Sequence, residues 1–214
     1  MFYAFCGMRV KASVTSRRQE NTRATRTALL DAAKRLFAKQ GFVATSIDDV
    51  AEAARVTKGA VYHHFRDKSE LFEAVFRAEQ TRLLTRVMAA APASKSPWDQ
   101  LLARIDAYID CFIANSDHRA LLLQANVALG SDRCRAIDES LALSAMKIGL
   151  EKLMAQGAIK QLPVEMLARV LFSALCEAAM TAAVQGKEAS RKEASQVLRS
   201  IVDGLRRAPP RKLG

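Results

Sequence analysis

The chain is poor in residues that cross-link or interrupt a polypeptide. Its 214 residues hold 4 Cys, 5 Pro and 9 Gly. The four cysteines, Cys6, Cys111, Cys134 and Cys176, are far apart, with no C-x-x-C pair and no histidine cluster at metal-ligand spacing. That excludes a disulfide scaffold or a zinc ribbon and fits reduced thiols in a cytoplasm. No run approaches the roughly 18 apolar residues of a membrane-spanning helix, so a soluble protein without a membrane partner is expected. The apolar start "MFYAFCGM" is followed, not preceded, by the basic "RVKASVTSRR", the reverse of a secretory signal. There is no H-E-x-x-H, no G-x-S-x-G and no nucleophile beside a base, so no enzymatic chemistry is signalled. No glycine-rich phosphate loop is present either, and no cofactor or metal is expected. Period-2 strand patterns and internal repeats are absent, which leaves an all-α class.

Charge is present, and unevenly. Residues 1–66 carry 12 Lys and Arg against 5 Asp and Glu, a net of +7, out of +11 for the whole chain. The remaining residues, 21 basic against 17 acidic, contribute +4. A basic excess at one end points to a polyanion, either nucleic acid or an acidic membrane surface, against the plain alternative of a solvated face.

Apolar residues at spacings of three and four place a first helix from Thr22, with Leu29, Ala32, Ala33, Leu36 and Phe37 inward, ending at Gly41. Thr45 or Ser46 then caps a second helix, with Asp48 and Asp49 in its first turn and Ile47, Val50, Ala51 and Ala54 inward. Thr57 caps a third, whose inward residues are Ala60, Val61 and Phe65, and Asp67 caps a longer fourth. Helices joined as tightly as the second and third must cross steeply, the helix-turn-helix arrangement. Beyond the linker-like "AAAPASKSP" the pattern stays helical: Leu101, Ile105, Tyr108, Ile109 and Phe112 form one stripe, Ile137, Leu141, Ala145 and Ile148 another, and "ALLLQANVAL" is apolar nearly all round and expected to be buried.

The third helix opens on Thr-Lys-Gly-Ala and closes on Tyr-His-His-Phe. A recognition helix presents its N-terminal residues to base edges in the major groove, so that end must be slim and able to donate hydrogen bonds. Thr57, Lys58, Gly59 and Ala60 suit it, with Tyr62 and His63 on the outer face toward phosphates. Thr45, Ser46 and Lys68 are further phosphate candidates. His63 and His64 are adjacent, diverge, and make a poor metal pair.

Over residues 24–76 the sequence "ALLDAAKRLFAKQGFVATSIDDVAEAARVTKGAVYHHFRDKSELFEAV" resembles the TetR (tetracycline-repressor-like) family of bacterial transcription regulators. Gly41, Phe42, Thr45, Ser46, Ile47, Val50, Ala51, Gly59, Tyr62, Phe65, Lys68 and Leu71 fall at the family's spacings. Arg55 departs from the pattern by standing where the turn usually has glycine; a positive φ there would cost on the order of 1 kcal/mol. The resemblance implies a homodimer with an N-terminal three-helix DNA-binding domain, joined by a long fourth helix to a C-terminal helical domain for ligand binding and dimerisation. The expected division is a flexible basic arm at 1–21, the DNA-binding domain at 22–68, the ligand and dimer domain at 69–207 and a tail at 208–214. Arg17, Arg18, Arg23 and Arg26 precede or begin the first helix, where an arm can follow the DNA backbone or enter a minor groove; an ordinary solvated tail is the alternative. The last two helices, expected at 163–185 and 187–206, would form the dimer interface, with Ala174, Ala178, Ala179 and Ala182 allowing close approach.

Ligand pockets in helical domains are mainly apolar with a few orienting polar groups. The candidates are Trp98, Tyr108, Cys111, Phe112, His118, Gln124, Asn126, Met146, Phe172 and Cys176, each also readable as core. The function these readings favour is a regulator, most often a repressor in this family, released from a palindromic double-stranded DNA operator by an unidentified small-molecule effector. A non-specific, nucleoid-like DNA binder is the principal alternative.

Overall fold

The computed structural model describes residues 17–91 and 96–207. Expectations about the first sixteen residues, Cys6 and the tail lie outside the described residues. Helix α1, Arg17–Ala44, begins before the expected Thr22, so residues 17–21 are its first turns and not part of an arm. It breaks at Gly41, whose φ of 89° and ψ of 162° belong to a region almost reserved for glycine. Ser46 caps α2, Ile47–Ala53, in a reciprocal box: its hydroxyl accepts from Asp49 N–H and its own N–H donates to Asp49. Thr57 caps α3, Lys58–His64, and Asp67 caps α4, Lys68–Ala89. The turn between α2 and α3 does put Arg55 at φ 57°.

These helices close over one apolar core. Phe72 is its centre, with ring centroids 5.2 Å from Phe37 and 5.4 Å from Phe42, both edge-on. Leu29, Phe37, Val50, Val61, Leu71 and Phe72 are fully buried. The same core takes in Leu121, Ala125, Ala128 and Leu129 of α6, Ser116–Leu129, and Ile137 of α7, Ser131–Asp138. The chain division expected at residue 68 is therefore not a division in packing.

A second core joins the far half of α4 to α5, Pro97–Ala114, α8, Ser144–Ala155, α9, Val164–Gln185, and α10, Glu188–Asp203. Between α7 and α8 the helix passes through a π turn at Glu139–Leu143. The extra residue of that turn rotates everything after it. The expected stripe through Ile137, Leu141, Ala145 and Ile148 consequently fails at its end: Ile148 is 67% exposed, and Leu150, Leu153 and Met154 face inward instead.

Three further expectations are corrected. The segment "ALLLQANVAL" is not buried all round, since Leu123 and Val127 are 70% and 71% exposed. Helix α9, at 22 residues with a mean hydropathy of 1.6 over its most apolar window, is long and apolar enough to cross a membrane by composition. Ala179 and Ala182 of α9 are buried within the chain, so they serve its own packing and not a partner's approach.

The break in α1 is sealed by long-range side chains. Gln124 Oε1 accepts from Phe42 N–H at 2.5 Å, while its amide donates to the carbonyls of Phe37 and Ala120. Replacing Gln124 with Leu strands the Phe42 N–H and should cost about 1–3 kcal/mol. Gly41→Ala forces a Cβ into a glycine-only conformation at a similar cost, about 1–3 kcal/mol. Urea denaturation of both variants is the check; unchanged midpoints would mean that the break relaxes without these groups.

Candidate DNA-binding surface and effector cavity

The short link of residues 54–57 lets α2 and α3 cross, and α3 then presents its outer face from the body of the molecule. Val61 is its buried anchor, while Lys58, Gly59, Tyr62 and His63 are exposed. Thr57 Oγ1 accepts from Ala60 N–H at 3.2 Å, so the cap holds the first turn rigid. A Cβ on Gly59 would lie 3.8 Å from Thr57 Oγ1, an ordinary contact. The fold does not demand glycine there. Lys58 Nζ donates to Asp48 Oδ2 at 2.9 Å, and that hydrogen bond raises its pKa. The pair is solvent-exposed, so the ammonium is parked and available. His63 and His64 lie ring to ring at 5.4 Å. Burial is the main cause of the lowered pKa of His64.

Two expected phosphate contacts have other uses. Thr45 is 1% exposed, and its hydroxyl donates to the Gly41 carbonyl at 2.7 Å. Lys68 gives its ammonium to the carbonyls of Phe42, Val43 and Thr45 at 2.8, 3.3 and 2.9 Å and lies 4.5 Å from the Phe42 ring centroid. Three donors meet three carbonyls, so no donor remains for a phosphate. Ser46 is exposed but engaged in its capping box. Arg26, one of the arginines expected near DNA at the start of the first helix, stacks over Phe65 at 4.5 Å.

In the second core a cavity of about 130 Å³ opens between α4, α5, α8, α9 and α10. Of the expected ligand residues, Tyr108, Met146 and Phe172 line it. Cys176 sits behind Tyr108, the two joined by a hydrogen bond of 3.2 Å. Burial raises the Cys176 thiol to about 11 and the Tyr108 phenol well above its ordinary value, so both are neutral near pH 7. The others lie elsewhere. Phe112 is fully buried core, Cys111 packs against the same core, and Gln124 bridges to α1. Asn126 is exposed beside Cys134, and Trp98 stacks under Arg206 at the rim of a surface groove. His118 is fully buried with both ring nitrogens unpartnered, edge-on to Phe112.

Sequence reasoning missed Gln100 and Arg104 on the cavity wall. Their signal was present: Gln100, Arg104 and Tyr108 follow at four-residue spacing, one polar row on an otherwise apolar helix face.

A helix-turn-helix unit with a slim exposed recognition helix, fused to a helical domain with an internal cavity, defines the class of DNA-binding regulators. Residues 29–75 match the bacterial regulatory proteins of the tetR family, and residues 98–205 match the tetracyclin repressor-like C-terminal domain. The chain belongs to the TetR family and is a DNA-binding transcriptional regulator. It is 26% identical over 153 residues to the Transposon Tn10 TetC protein of Escherichia coli, covering 72% of this chain and 77% of that protein. With the HTH-type transcriptional regulator AcrR of Shigella flexneri the identity is 42% over 65 residues, 30% of each chain. The crystal structure of a TetR-family transcriptional regulator from Pectobacterium atrosepticum superposes with a TM-score of 0.70 at 27% identity, covering 89% of this chain and 98% of that one.

Two outcomes are expected from this geometry. Gly59→Ala should leave folding stability unchanged or raise it by about 0.4–1 kcal/mol, because helix entropy favours alanine, while DNA affinity falls in a gel-shift titration. Equal affinity would deny close backbone approach at this position. Burial lowers the His118 pKa from 6.5 to about 4, against an opposing pull from Glu79. A depressed histidine stabilises the fold fully above its unfolded pKa and loses that contribution as pH falls from about 6.5 toward 4. Relative to His118→Leu, the wild type should therefore lose stability over that window in urea melts; parallel curves would place an unpaired, neutral His118 in doubt.

Proposed function

We propose that the chain is a repressor that binds a palindromic operator as a homodimer and is released when a small molecule fills the α4–α10 cavity. The observation that carries this reading is the course of α4. Only three residues separate it from the end of α3, it runs for 22 residues, and it supplies Leu84, Val87 and Met88 to the cavity wall. At 1.5 Å per residue that is a rod of about 33 Å with the recognition helix at one end and the cavity near the other. An occupant that displaces the far end tilts the near end, and the two recognition helices of a dimer then leave the roughly 34 Å spacing of successive major grooves.

The dimer is supported by an apolar face that one chain leaves open. Met166, Val170 and Val184 of α9 are 64%, 56% and 79% exposed, and Val197 and Ile201 of α10 are exposed beside the same core. A second copy covering this face accounts for the high hydropathy of α9 without a membrane. The exposed Lys58, Gly59, Tyr62 and His63 are the residues assigned to DNA, with Thr57 and Ala60 holding the first turn of α3 in place. The protein would act in the cytoplasm, where its operator is.

The test is selection of bound sequences from a random duplex pool, repeated with Lys58→Ala and Tyr62→Phe. An enriched palindrome is expected, relaxed by Lys58→Ala and bound more weakly at every sequence by Tyr62→Phe. A folded dimer that binds DNA with a steep salt slope and enriches nothing would instead be a charge-driven binder.

A further inference from the structure

We infer that the cavity takes a small organic anion, a carboxylate on a compact apolar or aromatic body, and that Arg104 is the residue that anchors it. The inference rests on the reading of this cavity as the effector site and adds the chemical class of the effector.

The first ground is charge. None of the residues that line the cavity is acidic, whereas Arg104 and Lys152 are basic. Lys152 is exposed at the outside, which leaves Arg104 as the cation on the inner wall. The second ground is the state of that guanidinium. Four arginines elsewhere in the C-terminal half meet carboxylates, Arg133 with Glu73, Arg169 with Glu139, Arg191 with Asp110 and Arg199 with Asp106, and Arg119 gives its guanidinium to the carbonyls of Phe112 and Ile113. Arg104 has no carboxylate within 4 Å among the described residues; its Nη2 donates to Gln100 Oε1 at 3.2 Å and its Nε is buried with no partner. A buried donor left without an acceptor is destabilising, and a guanidinium is the side chain best shaped to hold a carboxylate by two parallel bonds. Its neighbours in the row add to this: Gln100 lies one turn before it and Tyr108 one turn after.

The third ground is size and lining. Apart from that row the walls are Leu84, Val87, Met88, Met146, Phe172 and other apolar side chains. The cavity, about 130 Å³, is close to the roughly 150 Å³ of an apolar cavity known to take up benzene. A ring or short branched chain fits as it stands, and Met88 and Met146 can shift for a slightly larger body. A cationic drug has no countercharge here, and a long polar ligand has few partners.

The experiment is calorimetric titration of the full-length protein, without DNA, using three isosteric probes: benzoate, benzamide and benzylamine. Benzoate is expected to bind saturably and at least tenfold more tightly than the amide, with the amine undetectable. In Arg104→Met, which keeps the volume and apolar packing, benzoate should fall to the level of the amide while the amide is retained. The thermal midpoint of the variant, equal to or above that of wild type, reports that it is folded. Arg104→Lys should restore part of the preference. Benzoate and benzamide binding alike, a benzoate preference that survives Arg104→Met, or no binding of any probe to folded wild type would each overturn the assignment. Operator binding by the same preparations is measured separately. Intact sequence-specific DNA binding with no anion preference refutes this inference alone, whereas loss of the operator selection refutes the repressor reading itself.

Discussion

Most of the molecule's geometry depends on how one interruption of a helix is paired. At Gly41 the backbone leaves the helical region, and the amides and carbonyls on either side lose their helical partners. Lys68, at the first position of α4, spreads its ammonium over three of those carbonyls, and Gln124, from α6, accepts the Phe42 N–H. Thr45 closes the break from its own side through Gly41. The end of α1, the start of α4 and the middle of α6 are thereby fixed to one point. From that point α2 and α3 depart, so the orientation of the recognition helix is set by polar bonds that demand direction, with the Phe37–Phe42–Phe72 cluster beneath supplying the bulk of the burial.

This explains which parts of the site could be read from the sequence. Caps and stripes are local: Thr57 and Asp67 cap as expected, and of the two candidates Thr45 and Ser46 it is Ser46 that caps α2. The positive φ of Arg55 was equally legible, because the tight turn needs it whatever residue occupies it. Thr45, Lys68, Gln124 and His118 were flagged as polar residues in telling places, but the sequence carries no record of what they bond. Lys68 meets carbonyls 23 to 26 residues away, and Gln124 reaches back 82 and 87. Such partners depend on the fold being already assembled. The misplaced stripe after Ile137 has a different origin: one additional residue in the π turn at Glu139–Leu143 breaks a periodicity that assumes 3.6 residues per turn throughout.

The junction between the two cores is electrostatic where each core is apolar. Glu79 of α4 is 2% exposed and is held by Lys34 of α1 at 3.1 Å and by Arg82 of its own helix; Lys34 also reaches Asp117 of α6 at 3.7 Å. The imidazole of His118 lies beside this group with neither ring nitrogen hydrogen-bonded. Apolar contacts tolerate sliding, whereas a buried carboxylate shared by two cations tolerates little, since separation leaves an unpaired charge. The arrangement favours discrete positions of α4 over a continuum, which the proposed switch would require.

The energetics of switching bear on the chemistry of the cavity. Inverting an equilibrium from 1:99 to 99:1 requires a ligand to prefer one state by about 5.5 kcal/mol. A body the size of one aromatic ring buries roughly 150–250 Å², worth about 4–6 kcal/mol at 25 cal/mol per Å², and only the part that differs between the two states counts. A cavity of about 130 Å³ already exists in the structure described, so much of that burial is available without α4 moving. Apolar filling alone would then bind the ligand without choosing a state. A directional contact chooses, because a guanidinium gains its full strength only at one placement of the helix that carries it. Arg104 and Leu84, Val87 and Met88 of α4 line the same space. On the proposed switch, an occupant held by Arg104 would rest its body against Leu84, Val87 and Met88, and its size would set how far α4 stands away from α5.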